Sequence, residues 1–235
     1  MATRSLPARL FRFLVWLTLS ALLFSVLAVL AMRWVNPPTS AFMIADRIDS
    51  WTGVGHPLRH RWVDWDRIAG PAKVAVIASE DQMFPHHRGF DFKSIDKALE
   101  ERERGRRVRG ASTISQQVAK NLFLWSGRSW IRKGLEAYFT LLIETLWPKQ
   151  RILEVYLNIA QFGRGIYGVG AASEIYFSKS AARLSSYDAA LLAAVLPNPI
   201  RLRANSPSRY VRSRQEWIMA QMRRLGGTSL LRKLE

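Results

Sequence analysis

The stretch Arg151-Ile152-Leu153-Glu154-Val155-Tyr156-Leu157-Asn158-Ile159-Ala160-Gln161-Phe162 decides the fold class. Ile152, Leu153, Tyr156, Ile159 and Ala160 fall on one stripe of a 3.6-residue helix. Neighbouring segments follow the same period. Upstream, Lys73 to Phe84 carries apolar residues at Val74, Ile77 and Ala78. Ile131 to Trp147 is strongly apolar in its second half, and Pro148 stops it. Downstream, Ser185 to Leu196 is ended by Pro197 and Pro199. Arg209 to Leu225 reads as a basic amphipathic helix closed by Gly226-Gly227. Sustained apolar–polar alternation is absent, so the domain is expected to be mainly α. The charge-dense run Glu100 to Arg109, ending at Gly110, reads as an exposed loop or helix end.

The N-terminus is different in kind. Phe13 to Met32 holds no charged residue and is bracketed by Arg12 and Arg33. As a helix this segment spans about 30 Å, the thickness of a bilayer core. Trp16 and Trp34 lie near its two ends, where amphipathic rings favour the interface. A cleavable signal peptide is the competing reading, with Val29-Leu30-Ala31 as a poor cleavage site. Arg4, Arg9 and Arg12 precede the span without an acidic residue, which places residues 1–12 in the cytoplasm, an anchor at 13–35, and the rest across the membrane. Asn36-Pro37-Pro38 ends the anchor. Residues 36–235 read as one domain without linker or repeat.

The net charge is +17 and there is no cysteine. The first points to an anionic partner, whether nucleic acid, lipid headgroups or a phosphorylated substrate. The second excludes a disulfide framework, a thiolate zinc site and a cysteine nucleophile.

Two strings carry the chemistry. Glu80 closes an apolar helical turn and is followed by Asp81, Phe84, His87 and Gly89. A carboxylate so placed is a general-base candidate, although a helix-end acid with an ion-pair partner has the same pattern. Thr113-x-x-Gln116 fits a capping box, so a helix should begin near Ile114. Its free N–H groups and dipole would favour an anion. Gln117, Lys120 and Asn121 then share one face, and with the hydroxyls of Ser112 and Thr113 they suit a diphosphate. The plain alternative is a capped surface helix with a solvated lysine. Arg132 and Glu136 stand four apart, as an ordinary helix ion pair or as a second acid beside the cations Arg132 and Lys133.

Three further patterns carry less. Gly163-Arg164-Gly165-Ile166-Tyr167-Gly168, with Asp188 beyond it, matches a dinucleotide fingerprint in letters. The segment before it reads helical, however, and no strand–helix–strand alternation surrounds it. Ser94-x-x-Lys97 matches a serine-acylase motif whose companion motifs are missing. The arginines from Arg201 to Arg224 could meet nucleic acid. Beside a membrane anchor, anionic lipid headgroups are the more economical partner. His87 lies in no metal-ligand spacing.

Taken in order, the motifs resemble those of the peptidoglycan glycosyltransferases, specifically the monofunctional biosynthetic form. They are Glu80-Asp81-x-x-Phe84-x-x-His87-x-Gly89, then Gly110-x-Ser112-Thr113-Ile114-x-Gln116-Gln117-x-x-Lys120-Asn121. Arg132-Lys133-x-x-Glu136 follows, then Arg151-Ile152-Leu153-Glu154-x-Tyr156-x-Asn158 with Gly163, and Gly168-x-Gly170-Ala171-Ala172 with Tyr176-Phe177-x-Lys179. The resemblance implies a lysozyme-like α-helical fold with a smaller membrane-proximal lobe. It implies polymerisation of lipid II into β-1,4 glycan strands, with inversion and release of undecaprenyl diphosphate. It places the catalytic domain on the outer face of a bacterial cytoplasmic membrane. Glu80 would deprotonate the acceptor hydroxyl. Glu136 would assist the leaving diphosphate, directly or through a bridging divalent cation (Mg or Mn). Lys120, Arg132 and Lys133 would hold diphosphates, while Ser112, Gln116, Gln117 and Asn121 would orient phosphate and sugar. Inverting glycosidases keep their two carboxylates about 6.5–9.5 Å apart to admit a nucleophile, so similar room is expected here. The implied partners are lipid II, the growing strand, the bilayer and a transpeptidase or cell-wall synthesis complex, but no nucleic acid. Leu122 to Trp125 and Trp130-Ile131 are candidates either for dipping into the bilayer or for core packing. A glycan-cleaving enzyme on the same fold and a silent membrane scaffold are the rival classes.

Overall fold

The computed structural model describes residues 6–53, 55–104, 112–127 and 129–234. Residues 105–111, with Gly110 and the second half of the charge-dense run, lie outside the described residues, as does Arg4. The chain divides into two compact units, Met1–Pro37 and Pro38–Glu235.

The first unit is built on one helix, α1 (Leu6–Ala31). Its stretch Arg9–Ala31 has 23 residues, with a mean hydropathy of 2.5 over its most apolar 18 residues, long and apolar enough to cross a membrane. Thr18 and Ser25 donate their hydroxyls back to the carbonyls of Leu14 and Leu22. The two hydroxyls are thereby paired within the span, as a lipid surrounding requires.

The second unit is mainly α. It runs α2 (Ala41–Trp51), β1 (Arg59–His60), α3 (Gly70–Glu80), α4 (Phe92–Glu103), α5 (Ile114–Phe123), α6 (Trp130–Leu146) and α7 (Lys149–Ile159). Then come β2 (Gln161–Gly163), β3 (Ile166–Tyr167), α8 (Gly168–Phe177), α9 (Ser186–Val195) and α10 (Arg209–Arg224), with a 3-10 tail at Gly227–Leu234. The strands form a sheet in the order β1-β3-β2, parallel between β1 and β3 and antiparallel between β2 and β3. Strands of two and three residues are too short to show alternation, which is why the sequence hides them.

Two packing groups position the site. Ala72 to Ala78 of α3 and Asp188 to Val195 of α9 are buried throughout. These two helices pack on each other, and α10 lies across both. Around α5, the helices α6, α7 and α2 close a second group. Each fully buried aliphatic side chain here, such as Val118, Ile143 or Ile152, stabilises by about 1.5–3 kcal/mol.

Two helices end earlier than their apolar pattern predicts. The helix expected to reach Phe84 stops at Glu80, because Asp81 swings to φ −160 and turns its carboxylate towards α5. The helix expected to reach Phe162 stops at Ile159, and Gln161 to Gly163 enter the sheet. The glycine string after it is the β2–β3 turn and the start of α8, not a phosphate cradle. Gly165 has φ +66 and a Cβ there would meet the Pro57 carbonyl oxygen at 2.6 Å. Gly168 has φ +78 and a Cβ there would lie 2.6 Å from the Asn158 carbonyl oxygen. Both glycines answer close backbone approach. The Ser94 hydroxyl is likewise engaged, donating to Asp91 at 2.5 Å at the start of α4.

Candidate active site

The first motif builds a joint between α3 and α5. The Gly89 N–H donates to His87 Nδ1 at 3.1 Å, so the ring proton sits on Nε2. From there it is shared with Asp81, at 3.0 and 2.9 Å from the two carboxylate oxygens. Asp81 Oδ2 also accepts the Ile114 N–H at 2.9 Å. Phe84 is fully buried and meets the His87 ring edge-on. Asp81, Phe84, His87 and Gly89 thus hold α5 in place, and of the four Asp81 also borders a cleft.

The capping box forms as its spacing predicts. The Gln116 N–H donates to Thr113 Oγ1 at 3.2 Å, and Thr113 N–H donates to Gln116 Oε1 at 2.9 Å. The Thr113 hydroxyl donates on to the Gly89 carbonyl at 2.6 Å. One expectation needs correcting. The start of α5 is not open to an external anion, because the anion held by the Ile114 N–H and the helix dipole is the Asp81 carboxylate. Gln116 is buried with its carbonyl oxygen in the cap, so only its amide nitrogen is left for a ligand.

Glu80, at the last turn of α3, is gripped on both carboxylate oxygens. Gln117 Nε2 donates to Oε2 at 3.0 Å, and the Ser79 hydroxyl donates to Oε1 at 3.1 Å. Arg214 of α10 stands 3.9 Å from Oε1. Glu80 borders a cleft of about 550 Å³ whose walls include Asp91, just ahead of α4, Lys97 of α4, and Trp217 and Arg224 of α10.

An adjoining cleft of about 480 Å³ is lined by Lys120, Arg132, Lys133, Glu136, Gln116 and Gln117, with Phe42 of α2. Ser112 borders both clefts. Glu136 is buried, with Arg132 Nη1 donating to one oxygen at 2.7 Å and Lys133 Nζ donating to the other. The ordinary ion pair is therefore present, but it is buried and lines the cleft. Arg132 Nε is buried without a hydrogen-bond partner. Such a donor costs about 1–3 kcal/mol, and an anion accepting from it would remove that cost. Burial lowers the pKa of Lys120 below the ordinary lysine value; Glu136 and Glu80 oppose the shift, and Arg132 and Lys133 add to it. Its Nζ lies 5.7 Å from the centre of the Phe42 ring. Asn121 is not among the residues lining either cleft.

A divalent cation fits this donor set poorly. Both oxygens of Glu136 are already engaged by cations. Among the described residues no group of three His, Cys, Asp or Glu is placed to share an ion.

The fourth motif fixes the frame behind the clefts. Asn158 accepts from Val63 N–H at 2.8 Å and donates to the Val63 carbonyl at 2.8 Å. Arg151 pairs with Glu154 at 2.7 Å, and Glu154 accepts the Trp65 N–H at 2.8 Å. Sequence reasoning missed Phe42, Glu144, Arg214 and Trp217. Glu144 accepts from the Ser115 hydroxyl and pairs with Lys149 at 2.8 Å, bracing α5 against α6 and α7. Only Arg214 left a signal, as one of several arginines on a basic helix.

The apolar strings divide. Leu122 and Leu124 are core residues, and Phe123 stacks on Phe139 at 4.5 Å. Trp125, Trp130 and Ile131 are 52%, 92% and 76% exposed, so within these two strings they are the side chains available to a bilayer.

A helical domain with a carboxylate in one cleft and a cluster of three cations in the next suits a glycosyl-transferring enzyme acting on a phosphorylated donor. The chain belongs to the transglycosylase family, whose model matches residues 47–223. It is similar to the biosynthetic peptidoglycan transglycosylases of three bacteria. It is 54% identical to that of Stutzerimonas stutzeri over 99% of this chain and 95% of the relative. For Pseudomonas aeruginosa the figures are 53%, 99% and 99%. For Xanthomonas campestris pv. campestris they are 53%, 96% and 94%.

Proposed function

We propose that this chain is a peptidoglycan glycosyltransferase that polymerises lipid II into β-1,4 glycan strands. One observation carries the reading. A hydroxyl-activating carboxylate and a phosphate-neutralising cation cluster border adjoining clefts that meet at Ser112. Glu80 takes the proton of the acceptor 4-hydroxyl. The freed oxygen attacks the donor anomeric carbon on the face opposite the diphosphate. The bond from that carbon to the diphosphate oxygen breaks, and its electron pair leaves with undecaprenyl diphosphate. Attack from the opposite face inverts the centre.

Lys120, Arg132 and Lys133 neutralise the departing charge, which is the larger part of the work because the leaving group is already good. Glu136 acts on this step by holding Arg132 and Lys133 aimed into the cleft. Its oxygens are engaged by those two cations, and no step is assigned to a metal. Ser112, Gln117 and the Gln116 amide nitrogen orient phosphate and sugar. α1 anchors the protein by a single pass, with residues 1–12 in the cytoplasm and the domain on the outer face. Trp125, Trp130 and Ile131 rest in the bilayer surface, where the lipid tail of the substrate lies. Cross-linking of the strands falls to a partner transpeptidase.

The test is product analysis. Purified protein with labelled lipid II should yield polymer resolved as a ladder on a gel. Fragments released from finished glycan, with lipid II unchanged, would favour a hydrolase instead. That outcome is disfavoured because cleavage has no use for the Lys120–Arg132–Lys133 cluster.

A further inference from the structure

The structure assigns Tyr156 a positioning role: its buried phenol orients the Gln117 amide, and that amide holds Glu80 in place for proton transfer. The inference rests on the reading of Glu80 as the general base. Tyr156 sits on α7, is 1% exposed, and donates its hydroxyl to Gln117 Oε1 at 3.1 Å. Gln117, on α5, passes the contact on through Nε2 to Glu80 Oε2 at 3.0 Å. Three helices are thereby linked by one side-chain relay, from α7 through α5 to α3.

The direction of each bond follows from the groups involved. An ionised carboxylate only accepts, so the amide must present nitrogen to Glu80 and oxygen to Tyr156. The turned amide would set its carbonyl oxygen against the carboxylate, acceptor against acceptor. Tyr156 guards against that turn by donating to the oxygen. Burial, with the charges of Glu80 and Asp81 added, raises the Tyr156 phenol well above its ordinary value, so it keeps its proton. The ring is itself fixed, because α7 is tied down through Glu154 to the Trp65 N–H and through Asn158 to Val63.

On the other side, Glu80 Oε1 meets the Ser79 hydroxyl and faces Arg214. The plane of the carboxylate is therefore set by contacts to both oxygens. Removing the phenol oxygen frees the amide to turn, and with it the grip on Oε2. A general base acts only within hydrogen-bond reach of its proton, so the loss should be seen in turnover, not in binding.

Tyr156→Phe is the variant to make, since it deletes one oxygen and keeps the ring that fills the core. The full-length protein in detergent, given labelled lipid II, should show kcat lowered by about tenfold to about 10²-fold, the cost of a misplaced group. KM should stay within about twofold, the pattern of an interaction made in the transition state. Gln117→Met should lower kcat too, and adding Tyr156→Phe to it should change kcat no further, since both act through one contact. A melting temperature close to wild type for Tyr156→Phe checks the fold. Wild-type kcat in Tyr156→Phe, or losses that multiply in the double variant, would overturn the relay. Glu80→Gln measured alongside separates the two readings. If it turns over normally, the general-base assignment fails, whereas multiplying losses with an inactive Glu80→Gln sink the relay alone.

Discussion

Lys120 lines one cleft with Glu136, Arg132 and Lys133, and the charge of Glu80 reaches it from the adjoining one. Burial lowers its pKa below 10.5, with Glu136 opposing that shift. The sign has a consequence for binding. A lysine with a lowered value loses its charge at lower pH than a free lysine does. Affinity for a diphosphate that depends on that charge should fall as pH rises, starting below 10.5. Lys120→Arg keeps a group that stays charged in proteins, so its affinity should hold to higher pH. Titrating a lipid diphosphate analogue against both proteins across the alkaline range checks this. Identical alkaline losses would show that the Lys120 charge does not bind the diphosphate. Glu136 follows a different logic from Lys120. With a cation on each oxygen, its part in the proposed mechanism is to hold Arg132 and Lys133.

α5 shows best how local chemistry becomes a site. Its start is fixed three ways, by the Thr113 cap, by the reach of Gln116 back to Thr113, and by Asp81 on the Ile114 N–H. Thr113→Val removes the cap and leaves the Gly89 carbonyl without its hydroxyl donor. It should destabilise the domain by about 1–2 kcal/mol, read as a lower denaturant midpoint at unchanged slope. An unchanged midpoint would mean that Asp81 and the reach of Gln116 to the residue 113 N–H suffice to fix α5. The capping box was legible in the sequence because its partners are three residues apart. So were the order of the helices and the stripe of α7, which depend on local periodicity. What escaped depends on contacts between distant residues. The end of α3 is set by Asp81 reaching Ile114, and the frame behind the site by Asn158 reaching Val63. Filling of the α5 anion position by Asp81 could not be read from the cap alone. Phe42 and Trp217 enter the clefts from α2 and α10, and Arg214 reaches towards Glu80 from α10, destinations with no local sign in the sequence. α4 was concealed by its charge, since a polar helix shows little apolar stripe.

The apolar α1 and the net charge of +17 concern the protein's surroundings more than its fold. With the basic end of α1 in the cytoplasm, an alkaline phosphatase fused after Glu235 should be active in cells. An inactive fusion, paired with an active cytoplasmic reporter, would reverse the topology. The domain should bind anionic liposomes less well as salt rises, because charges at a surface are screened over about 10 Å at 0.1 M. Binding that ignores salt would instead assign the contact to Trp125, Trp130 and Ile131. The proposed mechanism depends on one carboxylate, that of Glu80, more than on any other group. Glu80→Gln keeps the shape of that side chain but cannot take the acceptor's proton. In single-turnover polymerisation of labelled lipid II it should be slower by about 10²–10⁴-fold, while a lipid II analogue still binds with wild-type affinity. Near-normal turnover by Glu80→Gln would contradict the mechanism at its first step.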